Sequence, residues 1–352
     1  MVVVDFRRHL VLLVGVVAAL ASALQQPGGV TRRGALGLGG VLSLPGGLLA
    51  PPVLAKDDDD GSAASDQPLQ VLRRSSSQVW LIGTAHVSDL SAQLVAKTID
   101  AVEPDLVVLE LDAKRASKML GKTPPPERKS KAGSWDFQAY VVGELLKGFY
   151  GSLEKMGFET GGEFAAAIRC ARTRGIPTLL ADRDVDVTMS KLATAIRHTD
   201  PKRTDTLGDD KRMQNLVLPE EETVALDKAS VSKTVELIKK RDTVRTVVDN
   251  VKQVAPEMYT VLISERDAYM ANSLLATLTD DGGAKGKDMP PPPVFLTPDG
   301  ALRLQESSVA SRPPRRVVVV VGMAHEDGIA ARLKDAGFDD DRRANVRARQ
   351  IA

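Results

Sequence analysis

The sequence predicts an α/β fold with a mostly parallel central sheet flanked by helices, and with a helical insertion before the last strand. Short apolar runs alternate with helical patterns in the first part of the chain. Residues 187–278 show a mostly helical pattern, broken by a polar stretch near 200–210. The final run, Val317–Val321, is apolar throughout, which is typical of a central parallel strand.

The first elements form a strand, a helix and a second strand. Val79–Gly83 is an apolar β-type run, and Ser88 or Asp89 can cap the helix that follows. That helix has apolar residues at helical spacing and stops before Leu106–Leu109, the second strand. A βαβ unit of this kind predicts parallel pairing of its two strands.

The middle of the chain predicts two helices and one further strand. Helical patterns cover Asp136–Met156 and Glu163–Arg174, and Thr178–Ala181 is a short strand. The segment Asp280–Arg316 is rich in glycine and proline, so we expect it to be irregular.

The N-terminal residues 1–55 resemble a targeting leader. Arg7-Arg8 precede an apolar run with a small-residue cleavage site, and Arg32-Arg33 precede a second, Gly/Leu-rich unit like a twin-arginine signal. Two signals in series favour a plastid protein of the thylakoid lumen. A single signal peptide of a secreted protein and a signal-anchor stay open. We expect a disordered spacer at 56–69, one α/β domain at 70–335 and a polar tail at 336–352.

Composition excludes some classes of partner. The net charge of +1 and an aromatic content of 4% argue against nucleic acid. No apolar run after residue 60 is long enough to span a membrane. The single cysteine, Cys170, excludes an internal disulfide. We expect a small-molecule or peptide ligand.

Two histidines stand in matching settings, although the chain has only four. His86 and His325 each follow an apolar run and end a Gly-x-x-His sequence. Glu110 and Asp182-Arg183 also follow predicted strands. Parallel strands would bring these groups together at one edge of the sheet, where they could bind a divalent metal or form an acid–base pair. Structural histidines and a helix-capping role for Glu110 or Asp112 stay open.

These motifs resemble the TraB domain family, across residues 70–335. The resemblance rests on six blocks in family order: Gly83–Ser88, Pro104–Asp112 with Arg115, Gly161–Phe164, Asp182-Arg183, Ser264–Asp267 and Gly322–His325 with Gly328-Ile329. The family is remotely similar to the Tiki proteases and to the haem-binding ChaN-like and erythromycin-esterase-like proteins.

The resemblance implies a metal-dependent hydrolase of peptides or small amides or esters. It assigns the metal, which is zinc, manganese or cobalt, to His86, His325 and Glu110. It assigns catalytic roles to Glu110, Arg183, Glu265 and Arg266, and substrate binding to Arg115, Glu163 and Asp182. A non-catalytic protein that binds peptide, haem or another small ligand is an alternative, and an organelle membrane-contact or scaffold protein is another.

Overall fold

The structure, a computed structural model, describes residues 69–84, 89–122, 161–200, 240–278, 293–304 and 315–351. The leader, the predicted helix Asp136–Met156 and His86 lie outside these ranges. Plastid targeting and the role of His86 therefore stay predictions.

The described strands are β1 (Leu69–Arg74), β2 (Ser77–Thr84), β3 (Leu106–Leu109), β4 (Thr178–Leu180), β5 (Val294–Leu296), β6 (Leu302–Leu304), β7 (Arg316–Gly322) and β8 (Asp339–Asp340). The described helices are α1 (Asp89–Val102), α2 (Ala113–Met119), α3 (Gly162–Thr173), α4 (Val185–His198), α5 (Arg241–Val254), α6 (Pro256–Tyr259), α7 (Glu265–Leu278), α8 (Met323–Asp335) and α9 (Arg342–Ile351). A π-helical turn, Thr260–Ser264, leads directly into α7.

One eight-stranded sheet organises the fold, in the order β6-β5-β4-β3-β7-β2-β1-β8. The four central strands, β4, β3, β7 and β2, are parallel, and the strands outside them pair antiparallel. This confirms the predicted fold class. The two strands of the predicted βαβ unit, β2 and β3, run parallel but are separated by β7, so the expected direct pairing was wrong.

The valine run of β7 forms the centre of the sheet because it is buried on both faces. Val318 and Val320 face one apolar cluster with Ile99 and Phe164 of α1 and α3. Val317 and Val319 face the opposite cluster with helices α7 and α8. Side chains of a strand alternate between faces, so an all-apolar strand needs helices on both sides.

The helical insertion lies between β4 and the last long strand. Met189 and Leu192 of α4 pack with Met258 and Leu262 in a third apolar cluster. This cluster supports the π-helical turn that precedes α7. None of the helices in the described ranges is long and apolar enough to cross a membrane.

Three edge features differ from the expectations. Strand β1 was not predicted, and β5 and β6 form a hairpin inside the segment expected to be irregular. Strands β5 and β6 have three residues each, which is too short to show an alternating pattern in the sequence. The turn between them contains Gly300, at φ +84°, and its sequence is typical of a loop. In the predicted tail, β8 pairs with β1, and the side-chain oxygen of Asn345 accepts a hydrogen bond from Val71 N at 2.8 Å.

Candidate functional site

A buried network of charged side chains lies at the carboxyl ends of the parallel strands. Glu110 follows β3, Asp182 follows β4, and His325 lies in the first turn of α8 after β7. The other members come from the first turns of two helices: Asp112 and Arg115 at α2, and Arg266 and Asp267 at α7. Each of the seven side chains is buried.

Arg266 is the centre of this network and has no exposed surface. Its Nε and Nη2 donate to the two oxygens of Asp182 at 3.1 and 2.8 Å. Nη2 also donates to Glu110 Oε1 at 2.5 Å, while Nη1 donates to Leu262 O at 3.1 Å and contacts His325 Nε2 at 2.7 Å. A guanidinium has five N–H donors, and these five contacts engage all of them. Burial alone would lower the pKa of Arg266, but Asp182 and Glu110 more than reverse this effect and raise it.

The contacts of His325 determine its tautomer. Because Arg266 can only donate, His325 Nε2 must accept its hydrogen bond. The proton therefore lies on Nδ1, which donates to Asp267 Oδ1 at 2.5 Å. Burial raises the pKa of Asp267, although the nearby imidazole opposes this shift. His325 is thus held at both ring nitrogens, by Arg266 at Nε2 and by Asp267 at Nδ1.

Arg115 forms the second cationic centre. Asp112 caps α2 by accepting from the backbone N–H groups of Lys114 and Arg115, at 2.7 and 2.9 Å. It also accepts from Arg115 Nε at 2.7 Å, while Arg115 Nη2 donates to Asp182 Oδ2. Burial raises the pKa of Asp112. For Asp182, Arg266 and Arg115 outweigh burial and hold its pKa well below the usual range.

Among the residues that the structure describes, the network has more carboxylates than cations. Glu110, Asp112, Asp182 and Asp267 contribute four carboxylates, against the two guanidinium groups of Arg115 and Arg266. Arg332, a third cation, lies at the edge, 4.0 Å from Asp267 Oδ2. An excess of one sign of charge is costly to bury, so the balance among these described residues favours the uptake of a proton or of a further cation.

The predicted catalytic pair Arg183 and Glu265 lies at the rim of the network. Arg183 Nη1 donates to Glu265 Oε2 at 2.5 Å, and its Nη2 donates to Val261 O at 2.9 Å. Glu265 also accepts from Lys191 and is about one-third exposed. The structure therefore separates Glu265 from its neighbour Arg266, which points inward.

The remaining predicted site residues have different placements. Glu163 is buried in the first turn of α3. His86 lies outside the described residues, but Thr84, two positions before it, pairs with Gly322 of β7. The structure thus brings together Glu110, Arg115, Asp182, Arg266 and His325.

Three buried charged residues were not predicted from the sequence: Asp267 of the network, and Arg241 of α5 and Glu326 of α8, which form an ion pair. Glu326 directly follows His325 in the chain. Arg241 Nη1 lies 2.6 Å from Glu326 Oε2. Burial raises the pKa of Glu326 to about 7, against the opposing effect of Arg241. The carboxyl of Glu326 packs on Gly83, which explains the glycine one position before the end of β2. These contacts join residues that are far apart in the sequence, so no local sequence pattern identifies them.

Gly83→Ala is expected to destabilise the fold. A Cβ at this position would overlap Oε2 of Glu326, lie 2.9 Å from its Cδ, and lie 3.3 Å from Arg241 Nη2. Since the carboxylate is buried, the pair would have to shift, and overpacking of this kind costs about 1–3 kcal/mol. Urea unfolding of the variant tests this. Gly162→Ala is the control, because among the described residues its Cβ would meet only Ala92, at 4.0 Å. Equal stabilities of the two variants would contradict the expectation.

Most of the chain resembles a known protein family. The model of the TraB/PrgY/gumN family matches residues 68–285. The chain belongs to this family. The TraB match spans His86, Glu110 and the residues of α7, and it ends before His325.

TraB relatives occur in archaea and animals. An uncharacterised protein of Methanocaldococcus jannaschii is 29% identical over 198 residues, which cover 56% of this chain and 46% of that protein. The TraB domain-containing proteins of Mus musculus and Homo sapiens are 27% and 26% identical over 277 residues, which cover 74% of this chain and 64% of each relative. The chain thus spans about half to two-thirds of the length of these relatives.

Proposed function

We propose that this TraB protein is a metal-dependent hydrolase that acts on peptides or on small amide or ester substrates. The observation that carries the proposal is the Asp267–His325–Glu110 arrangement. A carboxylate that accepts from one ring nitrogen of a histidine, while the other nitrogen faces the site, is typical of metal-binding histidines. Here Asp267 accepts from Nδ1, and Nε2 lies 3.4 Å from Glu110 Oε1.

The separation of these two atoms fits a single ion. Two ligands of a tetrahedral zinc ion, each about 2.0–2.1 Å from the metal, lie about 3.3 Å apart. His325 Nε2 and Glu110 Oε1 match this separation. The described ranges contain no group of three histidine, cysteine or acidic side chains that could hold a metal. The proposal therefore assigns the third ligand to His86.

Arg266 would compete with the metal in this arrangement. Its guanidinium contacts both His325 Nε2 and Glu110 Oε1, so an ion at these atoms must replace two of its hydrogen bonds. The surplus of carboxylates favours such a cation. When bound, the metal would supply a polarised water and Lewis-acid stabilisation.

The chain's own residues have separate roles in this proposal. Arg183, held at the rim by Glu265 and Val261 O, would bind the carbonyl oxygen of the substrate, because a guanidinium stabilises developing negative charge. Asp182 and Arg115 would maintain the position of Arg266 from the opposite side.

Metal content and hydrolysis test the proposal together. Purified protein loaded with zinc, manganese or cobalt should retain about one ion per chain and cleave members of a peptide and ester panel. His86→Ala and His325→Gln should each lose the ion and the cleavage. His198→Ala should keep both, because His198 is exposed on α4.

Two results would overturn the proposal. If His86→Ala and His325→Gln retain the ion, and circular dichroism shows that both variants are folded, the metal assignment is wrong. If the loaded wild type cleaves nothing in the panel, the hydrolase assignment is wrong, and a binding role replaces it.

A further inference from the structure

We infer that Asp267 is a positioning residue for His325. We also infer that the missing side chain of Gly328 leaves the space that the carboxylate of Asp267 occupies. The inference extends the proposed function, and a role of Asp267 in catalysis rests on that function. Two consecutive residues, Arg266 and Asp267, hold opposite edges of one imidazole. Arg266 contacts Nε2 at 2.7 Å, and Asp267 accepts from Nδ1 at 2.5 Å.

The approach of Asp267 to His325 depends on a glycine in the next helix. Gly328 lies in α8, three residues after His325. A Cβ at this position would overlap Oδ2 of Asp267 and lie 2.7 Å from its Cγ. Asp267 is 1% exposed, so its carboxylate has no open space to move into.

The other sides of Asp267 are also occupied. Arg332, one turn after Gly328, lies 4.0 Å from Asp267 Oδ2. Its Nη1 donates to Gly328 O at 3.1 Å, and its Nη2 donates to Ser264 O at 3.0 Å. Arg332 thus connects α8 to the π-helical turn before α7. An added methyl group at position 328 would push the carboxylate away from His325.

Helix propensity alone predicts the opposite effect of this substitution. Glycine inside a helix is less favourable than alanine, so Gly328→Ala would stabilise an isolated α8. The overlap with Asp267 opposes this preference. A glycine at position 328 is therefore explained by the space that the Asp267 carboxylate needs. An aspartate at position 267 is explained by its hydrogen bond from Nδ1 of His325.

The Nδ1 proton of His325 reports directly on this contact. In full-length protein with ¹⁵N-labelled histidine, a strong Nδ1–H hydrogen bond to a carboxylate gives a proton resonance far downfield. Only four histidines are present, so His325→Gln assigns the signal. We expect the signal in the wild type and in Gly162→Ala. It should move upfield in Asp267→Asn, whose amide is a weaker acceptor, and be lost in Gly328→Ala.

Metal affinity gives a second measurement. Loss of the partner behind a metal-binding histidine lowers affinity by about 10–100-fold. Asp267→Asn and Gly328→Ala should both show this loss in zinc titrations, whereas Gly162→Ala should not. An unchanged downfield resonance in a folded Gly328→Ala variant would overturn the inference. So would an unchanged metal affinity in Asp267→Asn.

The proposed function and this inference can fail separately. If the wild type binds no metal and cleaves nothing, the proposed function fails, while the resonance still decides whether Asp267 and Gly328 position His325. If the wild type binds metal but the resonance is the same in Asp267→Asn and Gly328→Ala as in the wild type, only the positioning inference fails.

Discussion

Arg266→Met is expected to lower the free energy of unfolding by about 3–5 kcal/mol, because removing one member of a buried charge network leaves its partners uncompensated. Methionine fills much of the volume but supplies none of the five donors. Glu110 would lose its 2.5 Å hydrogen bond from Arg266, and Asp182 would lose a two-point contact at 3.1 and 2.8 Å. Urea unfolding followed by circular dichroism measures the change.

Arg266→Lys separates charge from geometry at the same position. Lysine keeps the positive charge but has three donors on one nitrogen, so it cannot reach Asp182, Glu110, His325 and Leu262 O together. We expect a loss smaller than that of methionine but well above 1 kcal/mol.

A surface pair supplies the control for Arg266. Arg245→Met removes the ion pair with Asp327, whose side chains are 33% and 57% exposed, and exposed pairs contribute about 0–1 kcal/mol. If Arg266→Met and Arg245→Met have equal effects, Arg266 is not the centre of the network.

Strand-end motifs made much of the site predictable. Apolar runs that end in His325, Glu110 and Asp182 identify the carboxyl edge of a parallel sheet, because the ends of parallel strands meet at one edge. The pairing of β3 with both β7 and β4 brings these ends together. The local sequence pattern was sufficient to predict these strand ends, because each strand contains a continuous run of buried apolar residues.

The orientation of consecutive charges could not be predicted in the same way. Glu265, Arg266 and Asp267 form one charged run in the sequence, yet Glu265 faces the rim and the other two face inward. The π-helical turn before them shifts the helical register, and only tertiary packing reveals that shift. The partners Gly328 and Gly83 are likewise defined by contacts between distant elements.

Asp182→Asn is expected to change how stability depends on pH. Burial raises the pKa of Asp182, but Arg266 and Arg115 outweigh it, so the folded-state pKa lies well below the unfolded value of about 3.9. The folded state therefore binds this proton less readily than the unfolded state. The resulting stability is fully present above the unfolded pKa and is lost as pH falls through the lower folded value.

Asparagine at position 182 cannot supply this charge-dependent stability. At pH 7 we expect Asp182→Asn to be less stable than the wild type by about 3–5 kcal/mol, because two buried guanidinium groups lose their shared counter-charge. The difference should shrink as the pH is lowered from 5 to 3, since the wild type begins to lose the same contribution. Urea unfolding of both proteins at pH 7, 5, 4 and 3 measures this convergence.

Asp340→Asn is the matched control for this pH series. Asp340 also has a lowered pKa, because Lys334 and Gln70 more than offset its partial burial. Its side chain is 48% exposed, however, so its ion pair is screened by solvent, and we expect a difference from the wild type within about 1 kcal/mol at every pH. A constant difference between wild type and Asp182→Asn from pH 7 to pH 3 would show that Asp182 contributes through shape alone. Convergence confined to Asp182→Asn would show that the charge of Asp182, shared between Arg266 and Arg115, stabilises the folded state.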